Sequence, residues 1–255
     1  MYTSLVAAPQ LFIHEKLTVI KVKRMYYIVI TILILSCQNS QKNIKTTDDS
    51  CNNNKLVNYV YPINIFIEEK TFVYSLKSNK ESTKELLRKS YKSKIDKDSL
   101  LFSISKNSKG ITTDSTIFVI NKGIPKILNT YTRVGFYPNL LPAKKTITGN
   151  RYCEFTTFGD SFEYKVPTDN GEVITEFKGQ TTHKEYVKKE FNGIEYNCAI
   201  FESKKTMTVS FNGKTEKLKG TWKGCACENL GELYSSTTTE DGLVIEQKLE
   251  EIIEK

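Results

Sequence analysis

The chain has 255 residues, with 37 Lys and Arg, 29 Asp and Glu and only two His, for a formal net charge of +8. Zinc sites of hydrolases usually use two or three imidazole ligands, but His14 lies in an N-terminal segment that is expected to be removed, which leaves His183 alone. The basic residues are not clustered around a recognisable nucleic-acid-binding motif, so no nucleic-acid partner is expected. Composition therefore excludes two large function classes at the outset.

The N-terminal region has the three-part order of an export signal. A basic stretch at 21–24 leads into eleven almost wholly apolar residues at 25–35, which end at Ser36 and Cys37. A transmembrane helix needs about 20 consecutive apolar residues, so this run is too short to span a bilayer.

The segment Ile34-Leu35-Ser36-Cys37 resembles the lipobox of bacterial lipoproteins. The resemblance implies that residues 1–36 are removed, that Cys37 carries a fatty acid such as palmitate, and that this lipid anchors the protein in a membrane. Gln38 stands where many inner-membrane lipoproteins have Asp. The expected location is therefore the cell envelope, at the outer membrane, facing the periplasm or exposed on the surface.

Residues 37–55 are predicted to be a tether. Between Gln38 and Lys55 only one residue besides Cys51 is apolar, so the segment cannot bury enough surface to order itself. Without residues 1–37 the net charge falls to +5. The remaining 200 residues, 56–255, suit a single domain.

The pattern of that domain is β. Asn-Gly or Asp-Gly pairs at 170–171, 192–193, 212–213 and 241–242 favour tight type I′ hairpins, because both residues of such a pair tolerate positive φ. Apolar residues alternate between these turns, as expected for antiparallel strands with one covered face. The alternating sets are Phe162, Tyr164 and Val166; Ile194, Tyr196, Cys198 and Ile200; Met207, Val209 and Phe211; Leu218, Gly220 and Trp222. Further strands are predicted at 63–67, 71–76, 100–105 and 116–121.

One short helix is predicted from Ser82. Ser82-Thr-Lys-Glu85 has the spacing of a capping box, in which the serine and glutamate satisfy each other's backbone amides. The residues expected to face a sheet are Leu86, Leu87 and Tyr91, and those expected to face water are Lys84, Arg88, Lys89 and Lys92. The fold class predicted is thus mainly β, a curved antiparallel sheet or half-barrel with one short helix.

Several segments resemble the TapB-like group of secreted β-rich proteins. They are 68–76, the Tyr-Pro-containing stretch 137–141, the turn and strand 192–200, and the closing hairpin 221–224 with 231–243. Together they span about residues 65–252. The resemblance implies a sheet akin to the LolA-like half-barrel of lipoprotein carriers, without an agreed biochemical activity. The chain departs from the group after Trp222, where Gly224-Cys-Ala-Cys-Glu replaces a typical Gly-Val-Gly.

No catalytic residue and no cofactor are predicted. Nucleophilic triads need an imidazole to take the nucleophile's proton, and His183 is the one histidine in the expected domain. It lies in a polar stretch between two predicted strands and is expected to be solvated. Adjacent carboxylates such as Glu68 and Glu69 point to opposite faces of a strand and so do not form a glycosidase pair. No Gly-rich phosphate loop is present, so the protein is expected not to be an enzyme.

Five cysteines follow Cys37, an odd number, so at least one stays free or pairs between chains. The disulfide candidates are Cys153, Cys198, Cys225 and Cys227. A Cys225–Cys227 bond would need a turn, because residues i and i+2 of a strand lie about 6–7 Å apart. The alternative bridges one of these two to Cys153 or Cys198 across the sheet.

Two other uses of the thiols rank lower. A four-thiolate metal site is second, since Cys-x-Cys is not the usual spacing of zinc ligands. Redox catalysis is third, since it favours Cys-x-x-Cys at a helix start. No metal is therefore assigned.

Residues 131–142 form an aromatic stretch that three glycine or proline residues interrupt. It either covers the end of a sheet as core or rims an apolar groove on the concave face. In the second interpretation the ligand contacts are Phe136, Tyr137, Leu140 and Leu141.

Two non-enzymatic functions follow. The leading hypothesis is an apolar groove that holds a lipid or lipidated peptide. The alternative is a display, adhesion or envelope-assembly module that contacts an envelope protein or a glycan. A gap lined by apolar side chains would favour the first, and a closed, filled sheet interior would favour the second.

The lipobox interpretation predicts that Cys37→Ala abolishes incorporation of labelled fatty acid and leaves the precursor uncleaved, because acylation of the thiol precedes cleavage in lipoproteins. Metabolic labelling and precursor size on a gel measure both. Normal processing of the variant would contradict the prediction.

Overall fold

The computed structural model describes residues 55–60, 62, 68–94, 100–121, 124–134 and 139–254, with the backbone alone at 81–84 and 91–94. These residues form one short helix and twelve strands. Their bounds are α1 Val57–Val60, β1 Thr71–Ser78, β2 Glu81–Lys94, β3 Leu100–Lys106, β4 Thr112–Asn121, β5 Ile124–Thr132, β6 Leu141–Thr148, β7 Thr157–Thr168, β8 Gly171–Phe191, β9 Ile194–Phe211, β10 Lys214–Cys227, β11 Gly231–Thr239 and β12 Val244–Ile253.

The N-terminal predictions fall outside this description. The export signal, Cys37, nearly all of the tether and the strand expected at 63–67 lie outside the described residues. Among the described residues, no helix combines the length and the apolar character that crossing a bilayer requires.

The strands close into an antiparallel barrel. Each strand pairs with its neighbours in sequence, and β12 pairs with β1 from Thr71 opposite Ile253 to Ser78 opposite Ile245. The predicted curved sheet or half-barrel is therefore wrong in one respect, because the sheet has no open edge. Closure satisfies the backbone groups that the two edge strands of a half-barrel would expose.

Two of the four predicted tight turns have the type I′ conformation. At 192–193 the φ angles are 52° and 77°, and at 212–213 they are 48° and 75°. Gly171 already pairs with Thr168, so the β7–β8 turn is made by the two residues before Gly171. Gly242 has φ 80° within a longer connection between β11 and β12. All four pairs mark hairpins, but their turn types differ.

The helix predicted from Ser82 is wrong, since this segment is strand β2. It pairs with β1 on one side and β3 on the other. Leu87 and Lys89 are both buried while Arg88 is exposed, which is the alternation of a strand. Lys89, which was expected to face water, is only 7% exposed. Partner strands on both edges override the local capping signal.

Alternate residues of each strand face the lumen, as closure of a sheet requires. A cluster across β7, β8 and β9 consists of Phe162, Tyr164, Phe177 and Met207. The lumen-facing residues of the largest cluster include Phe72, Tyr74, Leu101, Phe118 and Leu249. The lumen is thus occupied by large side chains over much of its wall.

One part of the barrel wall is covered on both faces. The four residues 198–201 of β9 are at most 5% exposed, and their partners 224–227 in β10 are buried as well. Leu56 lies just before α1 and Tyr59 lies within it. Both pack with Ala199, Phe201, Trp222 and Ala226. The expectation of one covered and one wet face does not hold here, because both alternating sets of side chains are buried.

A matched pair of leucines tests the barrel core. Leu101 is fully buried and Leu128 is 55% exposed. Leu101→Ala should lower the free energy of unfolding by about 2–5 kcal/mol, because it leaves a cavity in a packed interior. Urea denaturation followed by circular dichroism measures this loss.

The control for that experiment is Leu128→Ala, which removes the same atoms from the surface. Its free energy of unfolding should stay within about 0.5 kcal/mol of the parent chain. Equal losses in both variants would contradict the assignment of Leu101 to the core.

Candidate functional site

The predicted groove residues are only partly described. Phe136 and Tyr137 lie outside the described residues, and Leu140 is half-buried in the connection before β6. Leu141 is the first residue of β6, lies opposite Thr132 and is 8% exposed. The structure thus places Leu141 in the barrel wall, and ligand contact by these four residues stays a prediction.

A row of polar side chains crosses the lumen wall from β2 to β5. Lys89 lies opposite Ser105, Ser105 opposite Asp114, and Asp114 opposite Thr132. None of the four is more than 7% exposed. Opposed residues of an antiparallel ladder share a face, so these groups point together into the barrel. Charges buried in this way need partners of opposite sign.

The positive charge of Lys89 lowers the pKa of two buried carboxyl groups against the effect of burial. Burial raises the pKa of Asp114, and the positive charges of Lys89 and Lys145 oppose that rise. Burial likewise raises the pKa of Glu232 on β11, against Lys89 and Lys205. A network of three lysines and two carboxyl groups therefore spans the lumen, with Lys89 acting on both carboxyl groups.

Aromatic rings fill the lumen around these ammonium groups. The Nζ of Lys205 lies 5.0 Å from the ring centroid of Trp222, and the Nζ of Lys145 lies 5.9 Å from that of Phe162. Trp222 in turn lies over Gly224, where an added Cβ would come within 2.2 Å of the indole ring. Glycine at 224 is thus what allows the ring to pack against the wall.

Several buried polar atoms of the described residues have no hydrogen-bond partner within the protein. They are Ser103 Oγ, Asp114 Oδ1, Thr130 Oγ1, Thr132 Oγ1, Trp222 Nε1, Glu232 Oε1 and Gln247 Oε1. Polar atoms buried to this degree are normally satisfied by protein groups or by ordered water. Ordered water molecules in the lumen would satisfy such atoms.

The cysteines meet where β8, β9 and β10 run side by side. Cys198 lies directly opposite Cys227, and the two form a disulfide with a Cα–Cα distance of 3.8 Å. Cys225 has a free, buried thiol two residues before Cys227. Cys153 is also disulfide-bonded. The bond at Cys227 thus crosses the sheet, and no turn between 225 and 227 is needed.

The Cys225 thiol lies in a sheltered environment. It lies opposite Tyr234 of β11, and the two side chains are hydrogen-bonded. Burial raises the pKa of Cys225 to about 11, against the opposing positive charge of Lys189. The thiol is therefore protonated and weakly nucleophilic at neutral pH.

A cavity of about 580 Å³ adjoins this thiol. Tyr234, which lies opposite Cys225, and Lys189 are among the residues that line it. Its apolar floor is formed by Phe191, Leu233 and Leu249, and charged residues of β8 and β12 form its rim. The cavity lies between the tip of the β8–β9 hairpin and the strands β11 and β12.

His183 is not solvated, contrary to the sequence-based expectation, but is 2% exposed within β8. Its Nδ1 accepts a hydrogen bond from the Phe155 backbone N–H at 3.1 Å, and its Nε2 lies 3.2 Å from the Glu185 carbonyl oxygen. Burial lowers the pKa of His183, which favours the neutral ring with the proton on Nε2. Both ring nitrogens are therefore occupied by backbone groups. A β-bulge at this point turns the strand and buries the ring.

Aromatic rings cover His183 from outside. Phe155 has φ 53° and is 63% exposed, and its ring centroid lies 4.7 Å from that of His183. Tyr186 lies 4.6 Å from His183 and donates a hydrogen bond to Glu154, which also accepts one from Lys55 at 2.9 Å. This exposed aromatic and ionic patch is a feature that sequence analysis missed.

A polar groove of about 460 Å³ crosses the outer face of β6 to β9. Eight of its ten residues fall in two register rows that are two residues apart along the strands, and Asp160 and Gly179 lie in the row between them. The lining residues are Thr146, Thr148, Gly159, Asp160, Ser161, Lys178, Gly179, Gln180, Lys204 and Thr206. Hydroxyl, amide and ammonium groups thus line the groove, and the Thr148 side chain covers Gly159, where an added Cβ would come within 2.4 Å of Thr148 Oγ1.

The neutral state of His183 predicts a loss of stability in weak acid. A histidine whose folded-state pKa is lowered contributes stability that is present above its unfolded value of 6.5 and is lost as pH falls through the folded value. Each unit of depression is worth about 1.4 kcal/mol. Wild type should therefore lose more stability than His183→Gln between pH 6.5 and pH 5, measured by urea denaturation. Parallel profiles for the two proteins would contradict a lowered pKa.

The disulfide arrangement predicts one reactive thiol among the four cysteines of the described residues. In native protein Cys225 should resist a thiol reagent because it is 1% exposed. In denaturant without reductant Cys225 should be modified, while Cys153, Cys198 and Cys227 should not be. Peptide mass mapping after alkylation identifies the modified positions. Alkylation of Cys198 or Cys227 in that sample would contradict their bond.

Comparison with known proteins gives three likenesses of fold. A Bacteroides fragilis protein designated as exported, with a YmcC-like fold, matches with TM-score 0.45 at 12% identity, over 73% of this chain and 96% of its own. A protein of Parabacteroides distasonis designated a lipoprotein matches with TM-score 0.46 at 11% identity, over 74% and 98%. The hypothetical lipoprotein YmcC of Escherichia coli matches with TM-score 0.32 at 8% identity, over 74% and 88%. No protein-family model and no curated protein matches the sequence.

Proposed function

We propose that this chain is a lipid-anchored protein of the bacterial cell envelope that acts by binding, without catalysis, through the outer face of its barrel. The order of basic stretch, apolar run and Ser36-Cys37 supports the envelope location. The partner is an envelope glycan or protein, contacted from a barrel that the lipid holds at the membrane.

The filled lumen is the observation that carries this proposal. Leu101 and Phe118 are fully buried, and Lys145 is 1% exposed. An apolar carrier needs a gap lined by apolar side chains, whereas this lumen holds large rings and a buried ionic network. Binding through the outer surface is compatible with such a core, because it requires no space and no rearrangement inside the barrel.

The polar groove across β6 to β9 is the best-suited contact surface. Thr148 and Gln180 lie on either side of Gly159, and Lys204 stands opposite Gln180 on β9. Such donors and acceptors match the hydroxyl groups of a sugar, and the exposed ammonium group adds attraction for an anionic one. A glycan of the envelope therefore suits this surface by its chemistry.

A non-catalytic role is supported by the state of His183. A general base must have a free nitrogen to take a proton from a nucleophile. Both nitrogens of His183 are engaged by backbone groups of Phe155 and Glu185. The chain thus offers no imidazole that is poised for nucleophilic catalysis within its described residues.

One observation favours the second candidate, a protein that holds an apolar or lipidated ligand. The cavity of about 580 Å³ beside Tyr234 has a floor of Phe191, Leu233 and Leu249. An acyl chain would enter there, outside the lumen, and not along a concave sheet face.

Charge reversal in the polar groove tests the proposed function. Lys204→Glu should weaken binding to immobilised envelope polysaccharide at least fivefold, since it places a carboxylate among the groove's donors. Lys217→Glu is the matched control, because Lys217 is an exposed lysine of the neighbouring strand outside the groove. Surface plasmon resonance measures both, and melting temperatures should be unchanged. Equal binding by the two variants would count against the groove.

Native mass spectrometry separates the two candidates. The protein should carry no co-purifying lipid if its partner is a surface glycan or protein. A bound lipid that is lost in a Leu233→Arg variant would transfer the assignment to the cavity beside Tyr234.

A further inference from the structure

Three sulfur atoms come together because of the register between β9 and β10. Cys198 and Cys227 are directly opposed, and Cys225 lies two residues away, on the same face of β10 as Cys227. The three Sγ atoms all lie within 4.8 Å of one another. All three residues are at most 1% exposed. The cluster is therefore a fixed feature of the sheet and not a chance approach of mobile side chains.

We propose that, once the Cys198–Cys227 disulfide is reduced, these three cysteines bind one copper(I) ion as a three-thiolate site. This inference goes beyond the proposed function and does not depend on it.

The chemistry of the donors selects the ion. Thiolates are soft ligands, and they select soft metal ions such as copper(I). Zinc prefers four ligands in structural sites, but the described cluster offers three sulfur atoms and no histidine, since His183 is engaged elsewhere. A three-coordinate ion thus fits this donor set better than zinc does.

Little rearrangement is needed for binding. Metal–sulfur bonds of about 2.3 Å around one ion put the sulfur atoms roughly 4 Å apart. After reduction Cys198 and Cys227 move apart from their bonded distance of 2.00 Å, while Cys225 is already within range. Side-chain rotation on an unchanged strand register is sufficient.

The surroundings suit a negatively charged metal–thiolate centre. The ammonium group of Lys189 lies close enough to act on Cys225, and the Tyr234 hydroxyl is hydrogen-bonded to the same sulfur. Both side chains also line the cavity of about 580 Å³. The cavity thus reaches Tyr234, whose hydroxyl is bonded to the Cys225 sulfur.

The reaction balances with a dithiol or a phosphine as the reductant. The S–S bond of Cys198 and Cys227 takes up two electrons and two protons, and the reductant is oxidised to a disulfide or a phosphine oxide. Binding of copper(I) then replaces the three S–H protons, which pass to solvent. Without reduction only the Cys225 thiol of this cluster is available.

The test is an anaerobic titration of the mature chain, reduced with a water-soluble phosphine, against a chromogenic copper(I) chelator. The chain should take one copper(I) from the chelator and show thiolate-to-copper charge-transfer absorption in the ultraviolet. Cys225→Ser, which keeps the disulfide pair, should lower the affinity at least tenfold after the same reduction. The unreduced wild type should bind at least tenfold more weakly than the reduced one.

The matched control is Cys153→Ser, which removes a thiol outside the cluster and should leave the affinity within twofold. Circular dichroism of each reduced sample verifies the barrel. Failure to take copper(I) from the chelator, an equal loss in Cys153→Ser and Cys225→Ser, tighter binding of zinc, or unfolding on reduction would each overturn the proposal.

Discussion

Pairing of β12 with β1 is the constraint on which the rest of the structure depends. Eight register pairs, from Thr71 opposite Ile253 to Ser78 opposite Ile245, join the two ends of the sheet. Without them β1 and β12 would be open edges, and the lumen would be a concave surface in contact with water. Closure turns that surface into an interior, so every group on it must be packed or paired.

The lumen meets this requirement with a mixture of rings and charges. Lys89, Asp114 and Glu232 would be costly as single buried charges, but each lies within the field of an opposite charge. Such networks are sensitive to the loss of one member, because the remaining charges then have no compensation. The interior of the barrel therefore serves stability.

Local signals predicted much of this fold. Strands at 71–76, 100–105 and 116–121 and the four hairpins follow from alternation and from Asn-Gly or Asp-Gly pairs, which act between close neighbours. Closure was not predictable in this way, because Thr71 and Ile253 are about 180 residues apart in sequence and no local pattern relates them. The half-barrel was the natural inference from strands whose edges had no visible partner.

The errors at individual residues have a similar cause. The capping-box spacing at Ser82 is a real helix signal, but β1 and β3 supply partners for this segment that sequence does not show. His183 was expected in solvent because its neighbours are polar, and a bulge buries it. The Cys198–Cys227 bond was one of several open pairings, since choosing among them requires the register of β9 and β10.

The same closure has a consequence for how the chain folds. Eleven of the twelve strand pairings join sequence neighbours and need only short loops, whereas the twelfth must bring together the first and last strands. Pairing across so long a separation costs loop entropy and is slow. Until β12 arrives, β1 remains an unpaired edge on which another chain can add a strand. The barrel is therefore most exposed to strand addition by another chain in the interval between synthesis of its first strand and of its last, when a holdase chaperone would have most to protect.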